Sequence, residues 1–263
     1  MKVFILAAGR GRRLNPLTSS APKCLTQLSG ISLLYMQITA LRASGLNDIT
    51  VITGYKSEQI DIPGIDIRLN KRWAETNMVE SLFLVANEFG NDFIVSYSDI
   101  VYEPSVVQSL LRHKNDISVV IDKNWRQLWD ARFEEPIKDA ETLKLDGQGH
   151  IKEIGRKPAN LNEIEGQYIG LMRFRGNGID ALSSARKTER QVANSLAAAD
   201  NLYMTEILMR IILNDTPVTA VPIHGGWLEI DTFGDYQLYK DMIKSQTLSA
   251  FINLNSITSR ARG

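Results

Sequence analysis

Glycines and cationic side chains are concentrated near the start of the chain, directly after an apolar run. The run Val3–Ala8 is typical of a buried strand, and Gly9 and Gly11 follow it. Glycines let backbone N–H groups approach a ligand closely, and N–H groups beside positive charge bind polyanionic phosphate. The positive charge comes from Arg10, Arg12, Arg13 and Lys23. This spacing predicts an enzyme that acts on a phosphate-bearing substrate.

Two common phosphate-binding motifs do not fit this loop. A dinucleotide fingerprint needs a third glycine for close helix packing, and Leu14 stands at that place. A P-loop needs lysine and a hydroxyl residue directly after its second glycine, but Arg12 and Arg13 follow Gly11. A hydride-transferring dehydrogenase and a P-loop NTPase are therefore both disfavoured.

The string from Leu6 to Thr18, followed by Pro22 and Lys23, resembles the signature of nucleotidyltransferases that join a nucleoside triphosphate to a small phosphate. The resemblance implies an α/β fold, with a Rossmann-like, mostly parallel sheet, helices on both faces and a small β-rich substrate-binding subregion. It also implies that Lys23 and Arg13 act in catalysis. The expected nucleotide-binding residues are Leu6, Ala7, Ala8, Gly9, Gly11, Asn77 and Ser81.

Two aspartates are candidates for binding a metal ion. Asp99 follows the predicted strand Phe93–Tyr97, and ligands of open α/β sheets bind beyond the carboxyl ends of strands. Asp231 lies far along the chain, and taken alone each aspartate is better explained as a turn or cap residue. In the resembling transferases, an Asp after a strand and a later Asp in an Ile-Asp-Thr context hold the catalytic metal. The resemblance therefore implies Mg²⁺, which needs only one or two protein carboxylates when triphosphate is bound.

Three later segments, 77–82, 166–170 and 227–232, resemble the cytidylyltransferases for small phosphorylated alcohols, amines and phosphonates. Phosphocholine, aminoethylphosphonate and phosphoglutamine enzymes belong to that branch. The resemblance, over about residues 1–240, implies Mg²⁺-dependent transfer of CMP from CTP to a small phosphorylated or phosphonate acceptor of the amine, amino acid or alcohol type. Pyrophosphate would be released.

Two alternatives remain open at this point. One is a UTP- or dTTP-dependent sugar-1-phosphate nucleotidyltransferase. The other is a non-catalytic, nucleotide-sensing regulatory subunit, which would be expected to lack Lys23, Asp99 or Asp231. This chain has all three residues.

The acceptor side is predicted from less specific features. Trp125 and Trp129 share one face if their segment is helical. They are either core or interface anchors, or they line the acceptor pocket together with Arg126 and Arg132. In the second case an aromatic ring could cover an ammonium group of the acceptor. Nearby acidic side chains that could meet an amino group are Asp130, Glu134 and Glu135. The resemblance adds a phosphate contact from a lysine near position 157. The predicted acceptor-binding residues are Trp125, Trp129, Arg132, Lys157, Tyr168 and Glu229.

Hydrophobic periodicity predicts the elements that position these residues. Strands and helices alternate over residues 1–122, which favours a parallel sheet covered by helices. Residues 176–215 have a helical pattern. We predict one nucleotidyltransferase domain over residues 1–245, with a nucleotide-binding half at about 1–122 and an acceptor-binding and metal half at about 123–235. A C-terminal tail is expected at 246–263.

One predicted helix carries two of the candidate nucleotide-binding residues. Asn77 is expected to cap its N-terminus, and Ser81 lies one turn further on. Glu80 is expected to reach back to the cap, as in a capping box. Two strands at 143–145 and 151–154, with turn residues between them, are expected to form part of the β-rich subregion.

Composition bounds the function further. The 263 residues carry 30 Lys plus Arg and 30 Asp plus Glu, so no global field attracts nucleic acid or a membrane surface. No apolar run approaches the roughly 20 residues of a membrane span, and no signal-peptide pattern precedes the first strand. The single cysteine, Cys24, excludes an internal disulfide. A cytoplasmic enzyme without nucleic-acid or membrane partners is expected, and assembly as a homodimer is one option.

Overall fold

A computed structural model describes residues 1–261 of the chain. In that range the strands are β1 (Lys2–Ala7), β2 (Gln27–Leu28), β3 (Ile31–Ser32), β4 (Asp48–Thr53), β5 (Asp66–Leu69), β6 (Asp92–Tyr97), β7 (Ile100–Tyr102), β8 (Ile117–Asp122), β9 (Leu143–Leu145), β10 (Ile151–Ile154), β11 (Gln167–Arg175), β12 (Thr219–Ile223) and β13 (Trp227–Glu229). The α-helices are α1 (Leu33–Ala43), α2 (Met78–Phe83), α3 (Pro104–Arg112), α4 (Trp125–Arg132), α5 (Asn177–Val192), α6 (Leu196–Asp200), α7 (Met204–Leu213), α8 (Phe233–Lys244) and α9 (Asn255–Ala261).

The central sheet has seven strands in the order β12-β8-β11-β6-β1-β4-β5. Strands β6, β1, β4 and β5 are mutually parallel, as are β8 and β12, whereas β11 runs antiparallel to both of its neighbours. The carboxyl ends of the parallel strands lie at one edge, where ligands of such sheets bind. The predicted Rossmann-like, mostly parallel sheet is confirmed.

Helices cover both faces of this sheet because the strands are apolar on both sides. In β1, Val3 and Ile5 join an apolar cluster with α1, α3 and α8, while Phe4 and Leu6 join a second cluster with α2, α5 and α7. Adjacent residues of a strand point to opposite faces, so one strand anchors both layers. The expected helices on both faces are present.

The helical region predicted at 176–215 is divided into α5, α6 and α7. The first break follows Val192, where Ala193 takes an extended conformation. Ser195 then caps α6 by accepting a hydrogen bond from the Ala198 N–H at 3.1 Å. The β-rich subregion consists of the antiparallel pair β9–β10, joined by a turn in which Asp146 accepts from the N–H groups of Gln148 and His150.

The cap of α2 differs from the prediction in one respect. Asn77 does cap this helix, because its side chain accepts from the Met78 N–H at 2.8 Å. Glu80, however, does not reach back. Its carboxylate instead forms ion pairs with Arg186 and Arg190 of α5, at 2.8 and 3.0 Å. The expected capping box was wrong because two cations of a neighbouring helix bind the carboxylate more strongly than a backbone N–H would.

The segment expected as a C-terminal tail, 246–263, folds onto the domain over its described part. Leu248, Ile252 and Ile257 are buried in the same apolar cluster as α1, and α9 packs against that helix. Within residues 1–261, no helix combines the length and the apolar character that crossing a membrane would require. Cys24 is buried, and burial raises the pKa of its thiol to about 12.

Candidate active site

The loop after β1 is shaped around one lysine. Gly11 has a left-handed conformation with φ of 70°, and a Cβ built on it would lie 2.8 Å from the Cβ of Lys23. A side chain at this position would therefore be strained and would displace Lys23. At Gly9 the same construction meets nothing within 4 Å, because that residue faces an open cavity. The two glycines have different functions: one admits Lys23 and the other leaves room for a ligand.

A short strand pair brings together the two candidate metal-binding aspartates. Strand β7 begins just after Asp99, and β13 ends just before Asp231. These strands pair antiparallel, with Glu229 opposite Ile100, and the Ile230 N–H donates to the Asp99 carbonyl at 2.8 Å. The fold thereby closes the separation of 132 residues (231 − 99) between the aspartates.

Lys23 bridges both aspartates. Its Nζ lies 2.8 Å from Asp99 Oδ2 and 2.7 Å from Asp231 Oδ1, and its side chain is only 9% exposed. Although burial alone would lower the pKa of Lys23, the two carboxylates hold it above its ordinary value. Lys23 is therefore a fixed cation between two acidic groups.

The arginines of the loop are used differently from one another. Arg13 reaches Asp231 from the other side, at 2.7 Å, and its side chain is 69% exposed. Arg12 also lines the cavity, whereas Arg10 turns away and packs its guanidinium 5.1 Å from the ring centre of Tyr55. Arg12 and Arg13 line the cavity where a polyanion would bind, Arg13 as the partner of Asp231, and Arg10 packs on Tyr55 instead.

The larger of two adjoining cavities has a volume of about 720 Å³ and lies over this loop. Three cationic side chains, Arg12, Arg13 and Lys23, face it together with Asp99 and Asp231. Its remaining lining residues are Leu6, Ala8, Gly9, Gly11, Trp73, Thr76, Asn77, Met78, Ser81, Tyr97, Ser98, Asn201 and Tyr203. Its size and charge fit a nucleoside triphosphate.

The smaller cavity, of about 300 Å³, begins at Asp231 and Arg13 and continues away from the loop. Its walls are acidic and aromatic. The carboxylates facing it, besides Asp231, are Asp139, Glu141 and Glu229, and the aromatic residues are Tyr97, Trp129, Tyr168, Tyr203 and Trp227. The Trp129 indole N–H donates to Asp139 Oδ2 at 3.2 Å, which orients that carboxylate. Among residues 1–261, Arg13 is the only cationic side chain of this lining.

Two of these carboxyl groups hold protons more tightly than usual. Burial and the charges of Asp99 and Asp231, opposed by Arg132 and Lys23, together raise the pKa of Glu229 to about 7. Desolvation and the charge of Asp139 raise the pKa of Glu141, although its side chain stays accessible from the cavity mouth. Even with these raised pKa values, the four carboxyl groups of its lining make the smaller cavity acidic, and it has room for a cation.

Comparison with known proteins agrees with this arrangement. Residues 3–164 match the family model described as a MobA-like NTP transferase domain. The chain belongs to this family. It is also 36% identical over 250 residues to the CTP:phosphoglutamine cytidylyltransferase of Campylobacter jejuni, covering 90% of this chain and 98% of that protein. The protein is thus a nucleotidyltransferase.

Two further relatives agree in sequence or in fold. The choline-phosphate cytidylyltransferase of Streptococcus pneumoniae is 36% identical over 116 residues, 43% of this chain and 51% of that protein. A solved structure of the CTP:phosphocholine cytidylyltransferase from Streptococcus pneumoniae superposes with a TM-score of 0.70 at 22% identity, covering 92% of this chain and 98% of that one. The superposition with the solved structure shows that the two proteins share one fold.

Nucleotidyltransferases of this family generally use a divalent metal ion, and Asp99 and Asp231 fit one. Asp99 Oδ1 is buried and has no hydrogen-bond partner among the described residues, and such an oxygen is a ready metal ligand. Within residues 1–261 there is no group of three or more metal-binding side chains. Two carboxylates with phosphate and water as further ligands suit a hard divalent cation.

The structure brings nearly all of the predicted nucleotide-side residues to the larger cavity. Lys23, Arg13 and both aspartates line it, with Leu6, Ala8, Gly9, Gly11, Asn77 and Ser81. Ala7 does not, because its side chain is packed in the apolar cluster beneath the sheet. Of the predicted acceptor-binding residues, Trp129, Tyr168 and Glu229 line the smaller cavity.

Three predicted acceptor-binding residues lie elsewhere. Trp125 is 5% exposed and belongs to the core. Arg132 is buried in ion pairs with Glu229 and Asp235 rather than facing the cavity. Lys157 lies on the surface and donates to the Lys138 carbonyl. The lining of the smaller cavity thus contains carboxylates and Arg13, but neither Arg132 nor Lys157.

The carboxylates predicted to meet an amino group, Asp130, Glu134 and Glu135, do not line the smaller cavity. Asp130 pairs with Arg126 at the surface, and Glu135 pairs with Lys138. The carboxylates of Asp139 and Glu141 line it instead, from the segment before β9. Asn201 and Tyr203, also missed, reach the nucleotide side because the Asn77 N–H and side chain bond to the carbonyls of residues 200 and 201. Nothing in the sequence links those segments.

Proposed function

We propose that this protein transfers CMP from CTP to a small phosphorylated or phosphonate acceptor that carries an amine, with Mg²⁺ as the metal and pyrophosphate as the second product. The observation that carries the proposal is the cluster of Lys23, Asp99 and Asp231 at the junction of a cationic cavity and an anionic one. The similarity to two cytidylyltransferases supports CTP as the donor.

On the nucleotide side, the triphosphate would lie over the loop 9–13. Backbone N–H groups and Arg13 would bind its β- and γ-phosphates, and Lys23 would stabilise the charge that develops on the α-phosphate. The base would meet backbone groups near Gly9 and the N-terminus of α2, where Asn77 and Ser81 line the cavity.

The reaction needs positioning more than proton transfer. An acceptor phosphate is already ionised near neutral pH, so its oxygen attacks the α-phosphorus while the bond to pyrophosphate breaks. Lys23, fixed by Asp99 and Asp231, would lie where the attacking and transferred groups meet, since it stands at the junction of the two cavities. A Mg²⁺ ion held by the two aspartates would neutralise phosphate charge at this point.

On the acceptor side, the lining favours a cationic end group. Asp139 and Glu141 make no ion pair with a cationic side chain in the described part of the chain, and the Trp129 ring lies beside them. Carboxylates and an aromatic face together bind an ammonium group well. This supports an amine-bearing acceptor over a neutral sugar phosphate.

We also propose that the nucleotide-binding half and the acceptor-binding half of the domain correspond to the two cavities. Residues 1–122 supply most of the nucleotide cavity and residues 123–235 most of the acceptor cavity. The exceptions, such as Asn201 on the nucleotide side and Tyr97 on both, lie where the halves meet.

The test is pyrophosphate release with Mg²⁺, using CTP, UTP, dTTP and ATP each with phosphocholine, aminoethylphosphonate, phosphoglutamine and glucose-1-phosphate. We expect turnover with CTP and an amine-bearing acceptor. Preference for UTP or dTTP with glucose-1-phosphate would instead identify a sugar nucleotidyltransferase. Binding of nucleotide without turnover of any acceptor would favour the regulatory alternative.

A further inference from the structure

Arg132 is the most deeply buried arginine side chain among the ion pairs near the site, with 1% of its side chain exposed. It lies at the last residue of α4, and its guanidinium packs 5.1 Å from the ring centre of Trp129 and 4.8 Å from that of Phe133. It does not line either cavity. A buried cation that touches no ligand site must act through its partners.

The first partner is Asp235, which Arg132 binds with two parallel hydrogen bonds. Arg132 Nε donates to Oδ1 at 2.9 Å and Nη2 donates to Oδ2 at 3.1 Å. The same Oδ2 accepts from the N–H groups of Asp231 and Thr232, at 3.0 and 2.8 Å. Arg132 therefore fixes the carboxylate of Asp235, and that carboxylate in turn fixes the backbone at Asp231.

The second partner is Glu229. Arg132 Nη1 donates to Glu229 Oε2 at 2.7 Å, and Glu229 pairs across β13 and β7 with Ile100, next to Asp99. The two branches from Arg132 thus end beside the two aspartates that bridge Lys23. All three donor nitrogens of one planar group are used, which a lysine ammonium could not reproduce.

We propose that Arg132 is a positioning residue for the transfer reaction, which fixes the metal-binding carboxylate of Asp231 through Asp235 and the backbone beside Asp99 through Glu229. The inference rests on the proposed function, because it assigns Asp99 and Asp231 to the metal. Mutation of a residue that orients a metal ligand through hydrogen bonds typically lowers metal affinity or activity by about 10- to 100-fold.

The informative variant is Arg132→Lys. Arg132→Ala would leave two buried carboxylates without a counter-charge, so its main effect would be a loss of stability. Lysine keeps the charge but loses the planar fork. The matched control is Arg126→Lys, on the same helix but exposed and paired with Asp130.

The readout is the gain in CTP affinity that Mn²⁺ confers, measured by calorimetry with Mn²⁺ and with EDTA. We expect Arg132→Lys to reduce that gain about tenfold, while its affinity for metal-free CTP stays within about twofold of wild type. In steady-state assays kcat should fall by about 10- to 100-fold, with little change in the KM for CTP. Arg126→Lys should match wild type throughout.

The path through Asp235 has its own test. Asp235→Asn keeps the shape of the side chain but weakens the paired bonds to Arg132, so its loss of Mn²⁺-dependent affinity should resemble that of Arg132→Lys. The double variant should be little worse than either single one, since residues of one network are not additive. Additive losses would overturn this path.

Two further outcomes separate the inference from the proposed function. If Arg132→Lys lowers the melting temperature but keeps the full Mn²⁺-dependent gain, Arg132 is only structural and the inference is wrong. If wild-type protein shows no Mn²⁺-dependent CTP binding, the proposed function fails and the inference fails with it.

Discussion

The two cavities meet at Asp231 but have opposite character. The nucleotide side has Arg12, Arg13 and Lys23 on a loop held by glycines, whereas the acceptor side has Asp139, Glu141 and Glu229 among aromatic rings. A triphosphate is attracted to the first cavity and repelled from the second. An acceptor with a phosphate at one end and an amine at the other would place its amine in the second cavity and its phosphate toward the first.

This contrast provides a physical means of orientation. The phosphate end of such an acceptor would point toward Arg13 and Lys23, which places its oxygen near the α-phosphorus. The amine end would remain between Asp139 and Glu141, whose carboxylates would be far from the transferred group. Charge alone would then disfavour the reversed orientation, in which like charges face each other at both ends.

The largest expected effect comes from removing the cation at the junction. Lys23→Ala should fold and should lower kcat by about 10²–10³, because one preorganised contact to developing charge contributes about 2.7–4 kcal/mol to the barrier. Pyrophosphate release measures the rate, and circular dichroism checks the fold. Lys187→Ala, on the exposed side of α5, is the control and should leave the rate unchanged. Normal turnover by Lys23→Ala would remove Lys23 from the mechanism.

A smaller effect should separate the two cavities directly. The double variant Asp139→Asn/Glu141→Gln keeps the shape of the acceptor wall and removes two charges. We expect the KM for an amine-bearing acceptor to rise roughly tenfold, since each solvent-accessible charged contact contributes only part of its full strength. The KM for CTP should stay the same.

Glu134→Gln, an exposed carboxylate outside the cavity, is the matched control for that experiment. A rise in the KM for CTP in place of the acceptor would mean that the anionic cavity does not serve the acceptor. Unchanged kinetics for every acceptor would contradict the amine assignment.

The third prediction concerns the loop that shapes the nucleotide side. Gly11→Ala should reduce kcat by about tenfold, because the new Cβ meets the Lys23 side chain at 2.8 Å. Its strain at positive φ should also cost about 1–2 kcal/mol of unfolding free energy. Gly90→Ala has a similar positive φ but meets nothing within 4 Å, so it should lose stability alone. Equal kinetic losses in both variants would assign the effect to strain.

Much of the nucleotide side could be predicted from the sequence because its residues are adjacent in the chain. The loop 9–13 and Lys23 lie within one stretch, and their chemistry follows from residue type and backbone freedom. Asp99 could be placed because it follows the carboxyl end of β6, a strand of the central sheet. Asp231 needed the resemblance, since its pairing with Asp99 depends on β7 and β13, which are only three residues long each.

The acceptor side could not be predicted in the same way. Its carboxylates come from a loop and from β13, and no periodicity connects them. The sequence predicts Arg132 as an acceptor-binding residue, because an arginine beside tryptophans is typical of a binding pocket. The same pattern is equally compatible with a buried ion pair. Only the positions of Glu229 and Asp235 decide between these, and they are set by long-range packing.

The smallest predicted effect compares two tryptophans that are equally buried but differ in contact with the acceptor cavity. Trp125 and Trp129 are 5% and 4% exposed, and their rings lie 6.0 Å apart. Trp129→Phe removes the indole N–H that orients Asp139, so the KM for the acceptor should rise about threefold, in line with one neutral donor at a partly exposed site.

Trp125→Phe should leave that KM unchanged while both variants lose stability to a similar degree, about 0.5–3 kcal/mol as is usual for core substitutions. Denaturant unfolding and acceptor kinetics on the two purified variants measure both quantities. The pair isolates the cavity wall from the core because the substitution and the burial are the same in each. If Trp125→Phe raised the KM as much as Trp129→Phe, the anionic wall would depend on general packing of α4, and the carboxylate of Asp139 would not be the acceptor's contact.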